Sequence, residues 1–246
     1  MPANIFITGV SSGIGLALAE AWLNKGAHVF GISRREPAQL LRQQAFRHAK
    51  VDLSDLGQIE AALHTLLAGV RTLDVAVLNA GVLGKLGDLA DTSIQELKRV
   101  MDVNVWANKV AMDALLRTGT RVRQIVTMSS GAAVHAERGW NGYALSKAAL
   151  NMLTALYAAE QTDTHFCALA PGIVDTAMQD ELASLPPDPR FPSFQRLKEV
   201  KGTPFMPKPG EAAERLINAI ESAMSHSSGS FLDMRELTKA KGGGRS

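Results

Sequence analysis

The chain of 246 residues has a single cysteine, Cys167. No internal disulfide framework can form, and a reducing cytoplasm suits the protein. Cys167 lies in an apolar run, where a free thiol packs as a small inert hydrophobe. The six histidines are dispersed without metal-ligand spacing, so no catalytic metal is expected. Charge of one sign is lacking too: 26 Lys and Arg against 24 Asp and Glu leave a formal net charge of +2. The basic residues are scattered, which argues against nucleic acid as a partner. The opening Met-Pro-Ala-Asn-Ile-Phe-Ile-Thr lacks the basic segment and apolar stretch of a signal peptide. No apolar run is long enough to span a bilayer, so no membrane partner is expected. There is no internal repeat, and residues 1–246 read as one domain.

What is present is alternation. Apolar runs at Asn4–Thr8, His28–Ser33, Arg47–Val51, Leu73–Leu78, Val122–Met128, His165–Ala170 and Gly229–Met234 read as strands. Helical segments fall between them, near Gly13–Lys25, Asp55–Ala68, Met101–Arg117, Asn141–Glu160 and Gly210–Met224, with a further candidate at Pro37–Ala45. Alternating strand and helix predict an α/β fold whose parallel sheet is covered on both faces. Seven of the ten prolines crowd into Ser184–Gly210. That segment is either a surface excursion or a lid over a substrate pocket. Residues 238–246 are glycine-rich and basic and read as a disordered tail.

The first strand runs into Gly9-Val-Ser11-Ser12-Gly13-Ile14-Gly15, and a helix follows. Glycines allow a sharp turn and close backbone approach, and a helix N-terminus offers free N–H groups to a pyrophosphate. This is the strand–loop–helix context of a dinucleotide site, with Gly-x-x-x-Gly-x-Gly spacing. An acidic residue at the end of the second strand would hold ribose hydroxyls and favour NAD. None stands there: the chain reads Gly31-Ile-Ser33-Arg34-Arg35. Arginine there can clamp a 2′-phosphate, so NADP(H) is expected with Arg34 as the main contact. The alternative is that both arginines are solvated surface charges.

Tyr143 and Lys147 stand four residues apart, on one helix face, with Ser130 thirteen residues before the tyrosine. A neighbouring ammonium is expected to lower the tyrosine pKa toward neutral and fit it for proton transfer to or from an alcohol oxygen. Taken singly, each residue has an ordinary structural role. Together behind the glycine loop they point to catalysis.

With these motifs in place, the chain resembles the single-domain short-chain dehydrogenase/reductase family from residue 4 to about 234. Thr8–Gly15 is similar to that family's cofactor loop, Asp52-Leu53 to its adenine contact, and Asn79-Ala80-Gly81 to its Asn-Asn-Ala-Gly turn, with Leu78 replacing the first Asn. Asn104 matches its catalytic Asn, Ser129-Ser130 its Ser motif, and Pro171-Gly172-Ile-Val174-Asp-Thr176 the segment over the nicotinamide. The stretch Gly139–Lys147 resembles sepiapterin reductase-like and benzil reductase-like members. The resemblance implies a Rossmann-type, doubly wound, seven-stranded parallel sheet. It implies that Tyr143 gives a proton to a carbonyl oxygen, Ser130 holds that oxygen, Lys147 tunes the tyrosine and binds nicotinamide ribose, and Asn104 holds a water linking Lys147 to solvent.

Pocket walls are expected from Leu83–Asp91, Ala132–Trp140 and the residues after Thr176. They would supply Leu83, Leu86, Val134, Trp140, Met178, Phe191, Phe194, Phe205 and Met206. Few charges interleave, which predicts an apolar ketone or diketone as substrate; His135 is read as a surface residue. The helix Tyr143–Glu160 is apolar almost all round and is expected to be buried on two sides. The resemblance implies a homodimer or homotetramer built on it, the alternative being a monomer. NADP-linked alcohol oxidation and a non-catalytic NADP-binding sensor are the competing functions.

Overall fold

The structure, a computed structural model, describes residues 1–237. The strands are β1 (Asn4–Thr8), β2 (His28–Ser33), β3 (Phe46–Lys50), β4 (Thr72–Leu73), β5 (Val75–Leu78), β6 (Arg121–Val122), β7 (Gln124–Met128), β8 (His165–Ala170) and β9 (Ser230–Asp233). The helices are α1 (Gly13–Asn24), α2 (Leu56–Leu66), α3 (Ile94–Met101), α4 (Ala107–Arg117), α5 (Asn141–Glu160), α6 (Ala177–Ser184), α7 (Pro192–Val200) and α8 (Pro209–Ala223). Seven strands form one parallel sheet in the order β3-β2-β1-β5-β7-β8-β9. This is a Rossmann-type doubly wound sheet, and its order reverses between β1 and β5.

The inner strands β1, β5, β7 and β8 are buried along nearly their whole length because both sheet faces are covered. Successive side chains point to opposite faces. Ile5 and Ile7 pack with Leu18 and Trp22 of α1 and Leu216 and Ile220 of α8. Phe6, between them, packs with Ile59 of α2, Met112 of α4 and Tyr157 of α5. Cys167 is buried in the first of these layers, and burial pushes its thiol up to about 12. No helix among the described residues is long and apolar enough to cross a membrane.

Four expectations need correction. The runs Leu73–Leu78 and Val122–Met128 each break into two strands. Asp74 N bonds to the Asn4 carbonyl at 2.8 Å, and the Asp74 and Arg123 side chains pair at 3.1 Å. The outer pieces, β4 and β6, then form their own two-stranded sheet. Pro37–Ala45 is a series of turns rather than a helix, anchored by the fully buried Leu40. The helical segment Met101–Arg117 begins earlier, at Ile94, where Ser93 accepts the Glu96 N–H at 3.2 Å as N-cap. Within it, Asp102–Trp106 is wound as a π-helix. The proline-rich segment contains α7, which starts on Pro192, a residue suited to the first helical position. The expected tail lies outside the described residues.

Candidate active site

A cleft of about 1060 Å³ runs along the carboxyl ends of the strands, across the point where the sheet order reverses. One end is built by the glycine loop. Gly9 donates its N–H to the Ile32 carbonyl at 2.8 Å and takes φ +77°, and Gly13 takes φ +59°. Both values lie in the left-handed region that glycine adopts without strain. Gly9, Ser11, Ser12, Gly13 and Ile14 line the cleft. The Ser12 side chain makes no cap bond, so the first N–H groups of α1 are left facing it. Asn79, Ala80 and Gly81 face the loop from the end of β5. The buried Thr8 hydroxyl ties the two together, accepting the N–H groups of Asn79 and Ala80, each at 2.9 Å.

Gly15 belongs to the packing of the loop and not to the cleft wall. A Cβ there would overlap the Gly9 carbonyl and the Asn79 amide nitrogen. Gly15→Ala is therefore expected to destabilise the protein by ~1–3 kcal/mol through overpacking and to weaken NADPH binding in parallel. Urea melts and a cofactor titration check this.

At the adenosine end, Ser33 is buried and donates to the Arg35 carbonyl at 2.7 Å, with His48 Nε2 at 2.9 Å. Arg34 and Arg35 are exposed and line the cleft with Asp52 and Leu53. Arg35 Nη2 reaches the Ser12 hydroxyl at 3.5 Å. Asp52 accepts the Ser54 N–H at 2.9 Å and its hydroxyl at 2.8 Å, and these bonds hold its carboxyl below the usual range, aided by the Arg34 charge.

At the other end, Ser130 follows β7, while Tyr143 and Lys147 project from the first turns of α5; all three line the cleft. Lys147 is buried with Nζ 5.7 Å from the centre of the Tyr143 ring. It donates to the Met128 carbonyl at 2.7 Å. Burial lowers its pKa to about 8. The expected lowering of the tyrosine pKa is not found. Burial raises it, and the opposing influence is a hydrogen bond with Ser130 rather than the ammonium. Desolvating a phenol disfavours phenolate, and the Lys147 ammonium is turned toward the strand carbonyl. The phenol is therefore held in its proton-donating form.

Asn104 does not line the cleft. It lies at the centre of the π-helix, fully buried. Its Oδ1 accepts the Val82 N–H at 2.8 Å, and its Nδ2 donates to the Val82 carbonyl and the Ser146 hydroxyl, each at 2.9 Å. Its carbonyl accepts from Asn108 Nδ2 at 2.8 Å. A Cβ on Gly81 would stand 3.1 Å from Asn104 Oδ1 and 3.5 Å from Lys147 Nζ, so the three groups converge. The Asn104 side chain thus braces the Gly81-Val82 turn beside Lys147, with both of its amide N–H groups engaged inside the protein. Pro171, Gly172, Val174 and Thr176 line the cleft as expected.

The substrate end departs from expectation. Leu83, Trp140 and Met178 line it. Phe191 and Phe194 instead form a small core with Leu182, against which Leu86 packs. Val134 and Phe205 are exposed and Met206 is buried away from the cleft. Charged residues do reach this wall: Arg99, Glu137, Arg196, Asp233 and Arg235, together with His135. Arg196 pairs with Glu137 at 2.8 Å, and Arg235 with Asp233 at 2.5 Å. Asn151 is another residue the sequence reading missed. Its Oδ1 accepts the Ser129 hydroxyl at 2.5 Å, next to Ser130. Its place one turn after Lys147 on α5 was the available signal.

The glycine loop at the switch point, joined by one cleft to a Ser–Tyr–Lys group, agrees with a direct family match. The short chain dehydrogenase family profile matches residues 3–185. The chain belongs to that family and is an oxidoreductase of the nicotinamide-binding type. An uncharacterized oxidoreductase of Schizosaccharomyces pombe is 40% identical over 185 residues, covering 71% of this chain and 72% of the relative. A benzil reductase, (S)-benzoin forming, of Bacillus subtilis is 27% identical over 242 residues, covering 94% and 98%. Among solved structures, a short chain dehydrogenase/reductase of Saccharomyces cerevisiae superposes with a TM-score of 0.82 at 25% identity, covering 97% of this chain and 98% of that one.

Proposed function

We propose that this protein is an NADPH-dependent carbonyl reductase acting on small ketones or diketones with apolar substituents. The observation that carries the reading is the convergence of the Tyr143 phenol, the Ser130 hydroxyl and the Lys147 ammonium at one end of a cleft whose other end is the glycine loop. A dinucleotide fits the residues present. Glycines stand where a side chain would fill the cradle, a helix N-terminus faces it, and arginines replace the carboxylate at the end of β2.

When bound, the reduced nicotinamide supplies the hydride that the carbonyl carbon receives. Ser130 would hold the carbonyl oxygen and stabilise the charge growing there. Tyr143 would donate its phenolic proton to that oxygen, completing the alcohol. Lys147, with a pKa of about 8, carries a proton at neutral pH and can return one to the tyrosine. The same groups serve alcohol oxidation in reverse. The aryl diketone named for the Bacillus subtilis relative supports the substrate class. Consumption of NADPH with benzil and a panel of ketones, lost in Tyr143→Phe, tests the reading. Activity confined to charged carbonyls, or none with NADPH bound, would overturn it.

Arg34 and Arg35 are read as the contacts of the 2′-phosphate. Arg34→Ala is expected to shift the NADPH-to-NADH preference by ~10-fold or more, since a charge-assisted hydrogen bond contributes about 1.5–3 kcal/mol. Equal preference before and after the substitution would rule Arg34 out.

We also propose assembly through α5. Leu145, Met152 and Leu156 are exposed along one of its faces, and Trp106 is exposed just before α4. Light scattering at micromolar concentration is expected to give a mass above that of one chain; a monomer mass would sink this.

A further inference from the structure

Ser193, on α7, is the single buried polar residue between Ala177 and Val200. Its hydroxyl oxygen accepts the Trp140 indole N–H at 2.9 Å. Trp140 stands three residues before Tyr143. Their ring centres are 5.8 Å apart with a 47° tilt. On another side Trp140 meets Phe194 edge-on, at 5.4 Å and 77°. The indole therefore lies between α7 and the tyrosine ring, touching both.

The surroundings leave few other ways to hold it. Gly139 takes φ +99°, and a Cβ there would stand 2.6 Å from Phe194 and 2.7 Å from Phe191. The backbone before Trp140 is thus bare where α7 docks. The Gly87 N–H bonds to the Gly139 carbonyl at 2.9 Å. Asn141 Nδ2 donates to the Lys85 and Gly87 carbonyls and to the Thr92 hydroxyl. These bonds fix the backbone on either side of Trp140 and leave its ring to be fixed by side chains. Ser193, Arg196, Leu197 and Val200 of α7 also line the cleft, so α7 faces whatever occupies it.

We propose that Ser193 is a positioning residue for the proton-donating tyrosine: docked α7 fixes the Trp140 indole through the Ser193 hydroxyl, and the indole fixes the Tyr143 ring. The assignment rests on the reductase reading above, in which Tyr143 reaches the carbonyl oxygen. Proton transfer needs hydrogen-bond reach, and a displacement of about 1 Å is enough to cost ~10²-fold in rate. Removing the Ser193 hydroxyl leaves the phenylalanine packing of α7 intact and frees only the indole.

A double-mutant cycle tests this. Ser193→Ala is expected to lower kcat about 5-fold, with KM and NADPH affinity within about twofold, the scale of one neutral hydrogen bond. In a Trp140→Phe background, which has no N–H to donate, Ser193→Ala is expected to change nothing further. Ser193→Thr, which keeps the hydroxyl, is expected to restore kcat. Equal losses in both backgrounds, or a rise in KM alone, would overturn the proposal. A readout free of turnover separates its failure from failure of the reductase reading. The chain has two tyrosines, so ring-labelled protein gives two tyrosine NMR signals, and Tyr143→Phe identifies its own. Ser193→Ala is expected to move the Tyr143 signal and leave that of Tyr157, and Ser193→Thr to return it. A Tyr143 signal that stays in place overturns the proposal even if no carbonyl is reduced.

Discussion

Tyr143→Phe is expected to lower the turnover of ketone reduction by ~10²–10⁴-fold, the usual contribution of a positioned acid, while NADPH binding stays within about twofold. Only the hydroxyl is removed. The ring remains packed against Trp140 at 5.8 Å and beside Lys147 at 5.7 Å. The phenol is buried with its pKa raised, so in the wild type it is fully protonated at neutral pH and ready to donate. Phenylalanine fills the same space without a group to desolvate, and the fold is expected to be as stable as before. The checks are steady-state kinetics on the best carbonyl substrate and a cofactor titration by fluorescence quenching. A loss smaller than about 10-fold would mean that another group or water supplies the proton.

Lys147→Met is expected to separate stability from activity. Burial lowers the Lys147 pKa from 10.5 to about 8. Below pH 8 both the folded and the unfolded chain carry the proton, and folding bears the full cost of burying the charge. Between about 8 and 10.5 the unfolded chain is protonated and the folded chain is not, so wild-type stability rises with pH. Above 10.5 both are neutral and the cost is gone. A methionine of similar length avoids this cost and forfeits the bond to the Met128 carbonyl. The balance is a gain of roughly 1–3 kcal/mol at neutral pH, shrinking as pH passes through the 8 to 10.5 window. Carbonyl reduction is expected to fall by ~10²-fold or more, because the tyrosine loses its proton source. Urea melts of both proteins near neutral pH and near pH 10 test the stability half. A variant less stable than wild type at neutral pH would show that the Met128 bond outweighs the burial of charge. The wild-type pH–rate profile carries the same signature. Reduction is expected to decline as pH rises through about 8, and alcohol oxidation to increase.

The opposite behaviour of the two residues bears on how function is stored here. Tyr143 is held by packing against Trp140, so the fold is expected to tolerate loss of the hydroxyl. Lys147 is a buried cation beside Tyr143; among the described residues no carboxylate is bonded to it, and the Met128 carbonyl accepts from it. A charge held in that state is retained at a cost to stability, as expected where chemistry rather than folding sets the residue.

Several parts of this architecture were legible from residue order alone, and they share a local cause. Strand β1 and its glycine loop are set by an apolar run that meets glycines where the backbone must take positive φ. The Tyr143–Lys147 pairing follows from the helical period. Other features depended on partners far away in the chain. The strand breaks at Asp74 and Arg123 fall where those two side chains pair across 49 residues. The π-turn at Asn104 brings its side chain to Val82 and Ser146, 22 and 42 residues distant. The order of the Pro-rich segment comes from Phe191 and Phe194 packing onto Gly139 and Trp140, which no local pattern records. The sign of the Tyr143 shift was misjudged for the same reason. Spacing brings the ammonium near the phenol, but burial of the phenol and the Met128 carbonyl that captures the ammonium are set by the folded cleft. Residue order specified which chemical groups stand on which element, because periodicity and backbone preference act over a few residues. The ionisation states, the aromatic seat of α7 and the bracing of Asn104 came from folding, because desolvation and long-range hydrogen bonds exist only once distant segments meet.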